Sequence, residues 1–390
     1  MEPKIRFKGF EGEWKALSLD DCVNFLDSKR KPIEEGNRTK GIFPYYGASG
    51  IVDYINDYIF DEELILLSED GANITDRNYP VCFLAKGKYW VNNHAHVLKA
   101  KEGFINSFLC NAMERKDYTL YNTGMAMPKL NKEACKRIPV LHPSSNEQQA
   151  IATYFTTLDS QISASTSRLT SLKQMKAASL QAMFPQKGET VPKIRFKGFE
   201  GEWRTCPLYH FAKKRTEKNT KMLYNITLTN SAEFGIIDQR NFFDHEISNS
   251  ENINGYYVVR DHDFVYNPRI SSSAPVGPIN QNKLGYTGVM SPLYLVFEIN
   301  GINRDFLEIF FHTTLWHKYM FDNGNTGARF DRLAISDEDF MKMPIPDIDF
   351  EEQQAIASYF TSLDRQISLQ SQRLEKLKQI KSACLDKMFV

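Results

Sequence analysis

Two short basic clusters carry the plainest chemistry in this chain. Lys29-Arg30-Lys31, with Arg38 and Lys40 close behind, begins 15 residues after Trp14. Lys213-Lys214-Arg215, with Lys218 and Lys221, begins 10 residues after Trp203. Clustered cations contact phosphate with a strength that falls as salt rises. Either cluster alone is also what an ordinary solvated face looks like. Their recurrence in corresponding places of otherwise unlike sequence favours phosphate. Reading bases needs planar or bidentate donors: arginine for guanine, asparagine or glutamine for adenine. Before position 145 the candidates are Asn73, Thr75 and Arg77, after Asp70-Gly71, and then Asn92, Asn93 and His94. Beyond position 203 they are Asn230 and Ser231, Arg269 with Ser271, Ser272 and Ser273, and Arg329 with Arg332. Polar loop residues are usually just solvated, so fewer than half are expected to touch a base. Tyr45 and Tyr46 read as packing residues rather than stacking platforms.

Catalytic signatures are missing. Tyr266-Asn267-Pro268-Arg269 starts like the Asn-Pro-Pro-aromatic loop of adenine methyltransferases. It lacks the second proline and the aromatic, and no Gly-rich cofactor loop precedes it. Pro346-Asp347 has no acidic-x-Lys partner at nuclease spacing, and the acids there suit helix capping and first-turn charge. His94-x-His96 places two imidazoles on one face of a strand. No third ligand stands nearby, so hydrogen-bonding surface histidines are the better reading than a metal pair. No P-loop and no nucleophile elbow occur. The chain reads as a non-enzyme that binds no metal or cofactor of its own.

Composition narrows the class further. The 390 residues are enough for two domains, and 42% apolar with 25% charged residues is ordinary for globular protein. Lys+Arg and Asp+Glu balance at 48 each, so any nucleic-acid contact must rest on local clustering rather than overall charge. Six scattered cysteines form no C-x-x-C pair, which fits a reducing compartment and neither a disulfide framework nor a zinc site. With no apolar h-region and no run near the ~20 apolar residues of a membrane span, the expectation is a soluble, cytoplasmic protein without membrane partners.

The elements that must hold these residues come in duplicate. Pro3 to Trp14 recurs unchanged as Pro192 to Trp203, and Asn146 to Phe184 recurs as Glu351 to Phe389 with 24 of 39 positions identical. The longer repeat reads as a helix. Ser144-x-x-Glu147 and Asp349-x-x-Glu352 fit capping boxes, with prolines just upstream. Apolar residues follow at 4–3 spacing: Ile151, Phe155, Leu158, Ile162, Leu169 and Leu172, then Ile356, Phe360, Leu363, Ile367, Leu374 and Leu377. Ser165 and Gln370 each interrupt a seam. A sustained seam over 39 residues suits a coiled coil better than a helix packed on its own domain. Each helix would span roughly 58 Å. Antiparallel pairing would relate the halves by a pseudo-twofold axis, with modules about one to two duplex turns apart given the ~34 Å repeat.

Between the repeats lie short β-rich runs: Tyr45–Ile51, Leu64–Leu67, Val81–Ala85 and Tyr89–Val91 in the first insert. The second has Tyr256–Val259, Phe264–Tyr266 and Leu293–Phe297, then a helix over Asp305–Phe321. Asn122-Thr-Gly124 against Asn325-Thr-Gly327 hints at one fold diverged at its working surface. The expected class is α+β: two mixed α/β modules joined by two long antiparallel helices. The divisions are 1–14, a repeated segment; 15–143, the first module; 144–184, the first helix; 185–203, linker and repeat; 204–348, the second module; and 349–390, the second helix.

This arrangement resembles the specificity subunit of type I restriction-modification systems. The resemblance covers essentially the whole chain. It rests on Glu147-Gln-Gln-Ala-Ile-Ala152 and Glu352-Gln-Gln-Ala-Ile-Ala357, the repeated Phe-Lys-Gly-Phe-Glu-Gly-Glu-Trp, Ile138-Pro139 and Pro344-Ile-Pro346, and the Asn-Thr-Gly segments. Phe264-Val-Tyr-Asn-Pro268 and Ser291-Pro-Leu-Tyr294 also resemble segments of such modules. The resemblance implies that each insert is a target recognition domain for one half of a bipartite, asymmetric site on double-stranded DNA. The helices would set the spacing and dock two modification subunits, with two restriction subunits able to join. S-adenosylmethionine, ATP and Mg2+ would sit in those partners, and adenine methylation there requires base flipping. A coiled-coil adaptor with two protein- or glycan-binding modules is the rival reading.

Overall fold

The computed structural model describes residues 2–241, 250–325 and 331–389. It forms two compact units. Unit 1 is Met1–Arg168 with Gln370–Val390, and unit 2 is Leu169–Leu369. Each unit therefore contains the first half of one long helix and the second half of the other.

The helices run Ser145–Ala182 and Phe350–Met388, within two residues of the repeat boundaries. Inside each unit the two helical segments are antiparallel. In unit 1 the Tyr154 hydroxyl lies 3.4 Å from Cys384 Sγ, the Lys381 ammonium 2.5 Å from Asp159, and Gln370 Nε2 donates to the Ser165 carbonyl. In unit 2 the same pairings return with the copies exchanged: Tyr359 with Ser179 at 2.9 Å, and Lys176 with Asp364 at 2.6 Å. The two polar interruptions of the seam thus meet each other, which satisfies a buried amide that an apolar neighbour would leave unpaired. Ile151, Phe155, Leu158 and Leu172 are buried, as are Ile356, Phe360, Leu363 and Leu374; Ile162, Leu169, Ile367 and Leu377 are half-buried. The first turns do double work. Ile151 and Phe155 join the core of the first module, and Ile356 and Phe360 that of the second. Only beyond them does the helix become a seam.

The capping-box expectation fails for a specific reason. Glu147 and Glu352 face an arginine of the repeated dodecapeptide rather than their own N-cap. Arg6 grips Glu147 with two bonds of 2.7 Å, and Arg195 grips Glu352 identically. Bidentate guanidinium–carboxylate geometry makes this the strong form of ion pair. The neighbouring glutamines tack each helix start to its module: Gln148 donates to the Gly103 carbonyl, and Gln353 accepts from the Asn303 amide. The repeated tryptophans close the other side. Trp14 packs edge-on against Phe108 and Phe389, and Trp203 against Phe184 and Phe306.

Both modules share a frame. In unit 1 a four-stranded antiparallel sheet runs in the order Val23–Phe25, Ala95–Ala100, Leu64–Ser68, Cys82–Ala85. In unit 2 the order is Ala212–Lys214, Leu295–Ile299, Phe264–Tyr266, Ile279–Gln281. A short strand after each tryptophan pairs with the strand before each long helix: Lys15–Ser18 with Pro139–His142, and Arg204–Pro207 with Pro344–Asp347. The rest differs. Unit 1 adds a second four-stranded sheet from Lys40–Gly47, Gly50–Ile55, Phe60–Asp61 and Lys88–Val91. Unit 2 adds two separate pairs, Leu228–Ser231 with Gly235–Asp238 and Tyr257–Val259 with Gly288–Met290. The single helix expected over Asp305–Phe321 is two, Arg304–Phe311 and His317–Asn323. Thr313 and Trp316 take the carbonyls of Phe310 and Phe311 that a continuing helix would use. Likewise Tyr45–Ile51 is not one run; the strands Lys40–Gly47 and Gly50–Ile55 turn at Ala48-Ser49. No described helix is long and apolar enough to cross a membrane.

Candidate nucleic-acid interface

Within each basic cluster the lysines and arginines do different jobs. In unit 1 Lys29, Lys31 and Lys40 are exposed, and among the described residues their ammonium groups make no hydrogen bond or ion pair. Arg30 is 13% exposed and turned inward. It reaches Glu69 at 2.7 Å and the Ala95 carbonyl at 2.8 Å, and it lies 3.7 Å from Asp27. Arg38 donates to the Ile33 carbonyl and lies 4.6 Å above the Tyr45 ring, which is itself buried as expected of a packing residue. Unit 2 repeats the division. Lys213, Lys218 and Lys221 are exposed, Lys214 pairs with Asp337, and Arg215 sits between Asp263 and Glu298 at 2.7 Å from each. The phosphate reading therefore passes to the lysines. Arg30 and Arg215 brace the sheets that carry them.

Arg30 belongs to a buried ionic knot that the sequence did not announce. His96 is not a surface histidine: it is 1% exposed, with Nδ1 2.8 Å from Asp27 and Nε2 2.8 Å from the Leu130 carbonyl. Both ring nitrogens face acceptors, so the geometry asks for an imidazolium. Burial pushes its pKa down, but hydrogen bonds to Asp27 and Cys135 outweigh that and raise it to about 10. The raised value fixes a pH dependence. The stabilisation is whole below the unfolded histidine pKa near 6.5 and drains as pH climbs toward 10. Unit 1 should melt progressively lower between pH 7 and 10, and His96→Gln should flatten that slope; parallel wild-type and variant curves would refute the assignment.

Several predicted readers are structural. Asn73 both donates to the Tyr79 carbonyl and accepts from the Tyr79 amide. Thr75 bonds the Ala72 carbonyl, and Arg77 pairs with Glu114 at 3.1 Å. Asn92 is buried and caps the His94 amide. Asn230 is 2% exposed, donating to the Val265 carbonyl and accepting from Asn280. The Ser231 hydroxyl accepts from the Phe234 amide, and Ser271 and Ser273 bond each other at 3.1 Å. Arg329 lies outside the described residues. Asn93, His94, Arg269, Ser272 and Arg332 remain at the surface with donors to offer.

These survivors gather at one equivalent point of the frame. In unit 1 the strand Leu64–Ser68 runs into Asp70, which bridges to Lys129 and holds His94 Nδ1 at 2.9 Å. In unit 2 the strand Phe264–Tyr266 runs into Arg269, which bridges to Arg332. The backbone behind them matches: the Leu130 amide donates to the Glu69 carbonyl, and the Leu333 amide to the Pro268 carbonyl. Asn122-Thr-Gly124 forms the neighbouring turn in unit 1. Asn122 caps the Gly124 and Lys129 amides, and a β-carbon at Gly124 would collide with the Met127 carbonyl. In unit 2 Asn230, Ser231, Asn267, Arg269, Ser271 and Tyr294 line an open cleft of about 280 Å³. So one scaffold point offers a carboxylate, an imidazole and an ammonium in unit 1, and two guanidinium groups in unit 2.

Residues 11–174 match the family model described as the type I restriction modification DNA specificity domain. A protein of Haemophilus influenzae named as a putative type I restriction enzyme specificity subunit is 36% identical over 144 residues. That match covers 37% of this chain and 36% of the relative's length. Over residues 11–174 the chain belongs to this family. The specificity domain so defined takes in the first frame, its ionic knot and much of the first long helix. The solved S subunit of a type I restriction-modification system from M. genitalium aligns over 100% of this chain and 99% of its own, with a TM-score of 0.66 and 13% identity. At that identity the likeness speaks for the fold, which extends to both long helices and the second module.

Proposed function

We propose that the chain is the DNA specificity subunit of a type I restriction-modification complex. Each module reads one half of a bipartite, asymmetric site on double-stranded DNA. The antiparallel helices fix the spacing between half-sites and dock two modification subunits, to which two restriction subunits can add. One observation carries the reading: the same frame position holds Asp70, His94 and Lys129 in one unit and Arg269 with Arg332 in the other. A shared scaffold with unlike donors suits two different half-sites. Arg269 and Arg332 fit guanine edges, while Asn93 and His94 fit a mixed set of acceptors. Lys29, Lys31, Lys40, Lys213, Lys218 and Lys221 supply phosphate contacts that set register without reading sequence. Methyl transfer, with its S-adenosylmethionine, and any ATP- and Mg2+-dependent cleavage belong to the partner subunits, so this chain carries no reaction alone.

The test is an exchange of residues 15–143 for an unrelated module, followed by mapping of methylated adenines by single-molecule sequencing. One half-site should change and the other should persist. Each read base pair is worth about 1–3 kcal/mol, so a half-site of a few pairs shifts preference roughly a hundredfold or more. Change in both halves would overturn the modular reading. Failure to shift any duplex DNA, with the modification subunit present, would favour an adaptor.

A further inference from the structure

The dodecapeptide Pro3–Trp14 and its copy Pro192–Trp203 are identical at every position, including positions with no work to do inside the fold. The internal set is easily accounted for. Arg6 and Arg195 hold Glu147 and Glu352 and also donate to the carbonyls of Gly12 and Gly201. Phe7 and Phe196 stack edge-on to Tyr154 and Tyr359. Gly9 and Gly198 have φ of 96° and 101°, and Gly12 and Gly201 85° and 83°, a region open to glycine at little cost. The tryptophans are buried.

The remainder faces outward in both units. Lys8, Glu11 and Glu13 are exposed and Phe10 is half-exposed; Lys197, Glu200, Glu202 and Phe199 match them. Among the described residues, no hydrogen bond, ion pair or ring contact involves the Lys8, Phe10 or Glu11 side chains. Such positions ordinarily drift, and elsewhere in this duplication they have drifted. Exposed Ser160, Thr170, Ser171 and Gln181 of the first helix correspond to Arg365, Glu375, Lys376 and Asp386 in the second. Residues held identical twice, in the open, point to one ligand that visits both copies.

We infer that this outward face is a docking surface for a protein partner bound twice per chain, one copy on each dodecapeptide. Resting on the function proposed above, the occupant is the modification subunit. The chemistry selects a protein over DNA: Glu11 and Glu13 would repel phosphate, whereas an aromatic flanked by acids suits an apolar pocket rimmed by lysine or arginine. In unit 1 a hollow of about 460 Å³ opens beside it, between Phe10, Glu11, Glu13, Lys15 and His142. A partner side chain entering there would touch the Arg6–Glu147 pair that anchors the long helix.

The experiment titrates the full-length chain with purified modification subunit and reads stoichiometry by light scattering after gel filtration. Wild type should take two copies. Phe10→Ala with Glu11→Lys should take one at wild-type affinity, with the second at least tenfold weaker. Adding Phe199→Ala with Glu200→Lys should weaken both. All variants should keep the wild-type melting temperature, because these side chains support nothing internal. A quadruple variant that still takes two copies at wild-type affinity overturns the surface alone. A wild-type chain that takes none overturns the surface and the proposed function together.

Discussion

A chain ending at Lys378 should keep unit 2 and lose unit 1. Removal of residues 379–390 takes Cys384, Leu385, Met388 and Phe389 out of the first core, where they pack with Trp14, Phe108 and Phe155. It also removes the Lys381–Asp159 and Arg115–Asp386 ion pairs. At about 1.5–3 kcal/mol for each large apolar side chain, the forfeited burial is on the order of 7 kcal/mol. That is comparable with the whole stability of a typical domain, about 5–15 kcal/mol. Unit 2 takes no residue from this segment. Limited proteolysis should therefore cut freely within 15–143 while 204–348 stays protected, and calorimetry should show one transition fewer. Equal loss of protection in both modules would contradict the division into units.

Arg30→Ala should cost about 3–5 kcal/mol of unit 1 stability, the usual result of removing one partner from a buried, hydrogen-bonded charge network. It leaves Glu69 and Asp27 facing each other around His96 with a cation fewer. Arg215→Ala should act the same way on unit 2 through Asp263. Neither change should alter the salt dependence of DNA binding in the fraction that stays folded. Lys29→Ala and Lys213→Ala should do the reverse, leaving the melting temperature alone and lowering the salt slope by about one for each phosphate no longer neutralised. A salt slope changed by Arg30→Ala, with normal stability, would return that arginine to the phosphate-binding set.

The scaffold was legible in the sequence because periodicity survives where chemistry drifts. The 4–3 spacing from Ile151 and from Ile356 located both helices to within two residues, and the polar breaks Ser165 and Gln370 already stood at equivalent positions. What spacing could not show was direction. Glu147 sits where a capping box wants a glutamate, yet an arginine 141 residues earlier claims it. The unchanged Arg6 and Arg195 were the available signal. The readers were harder still. Asn73 and Asn230 look like any other loop asparagines, and only their packed carbonyl partners show that they brace turns. Arg30 and Lys29 are adjacent letters of one basic cluster, and which of them turns inward is decided by Glu69, a residue in another strand's wake.

The amide of Ile5 donates to the carbonyl of Lys387 at 2.9 Å, and the amide of Ile194 donates to the carbonyl of Ala182 at the same distance. At the second place the polypeptide simply continues across the gap; at the first it begins and stops. Cut and join are thus interchangeable. A circular permutant opened within 186–190, with the original ends fused by a similar stretch, should fold to the same molecule. The order in which the gene spells its two readers is then a matter of where the ring was opened, with no bearing on which end of a target each one addresses.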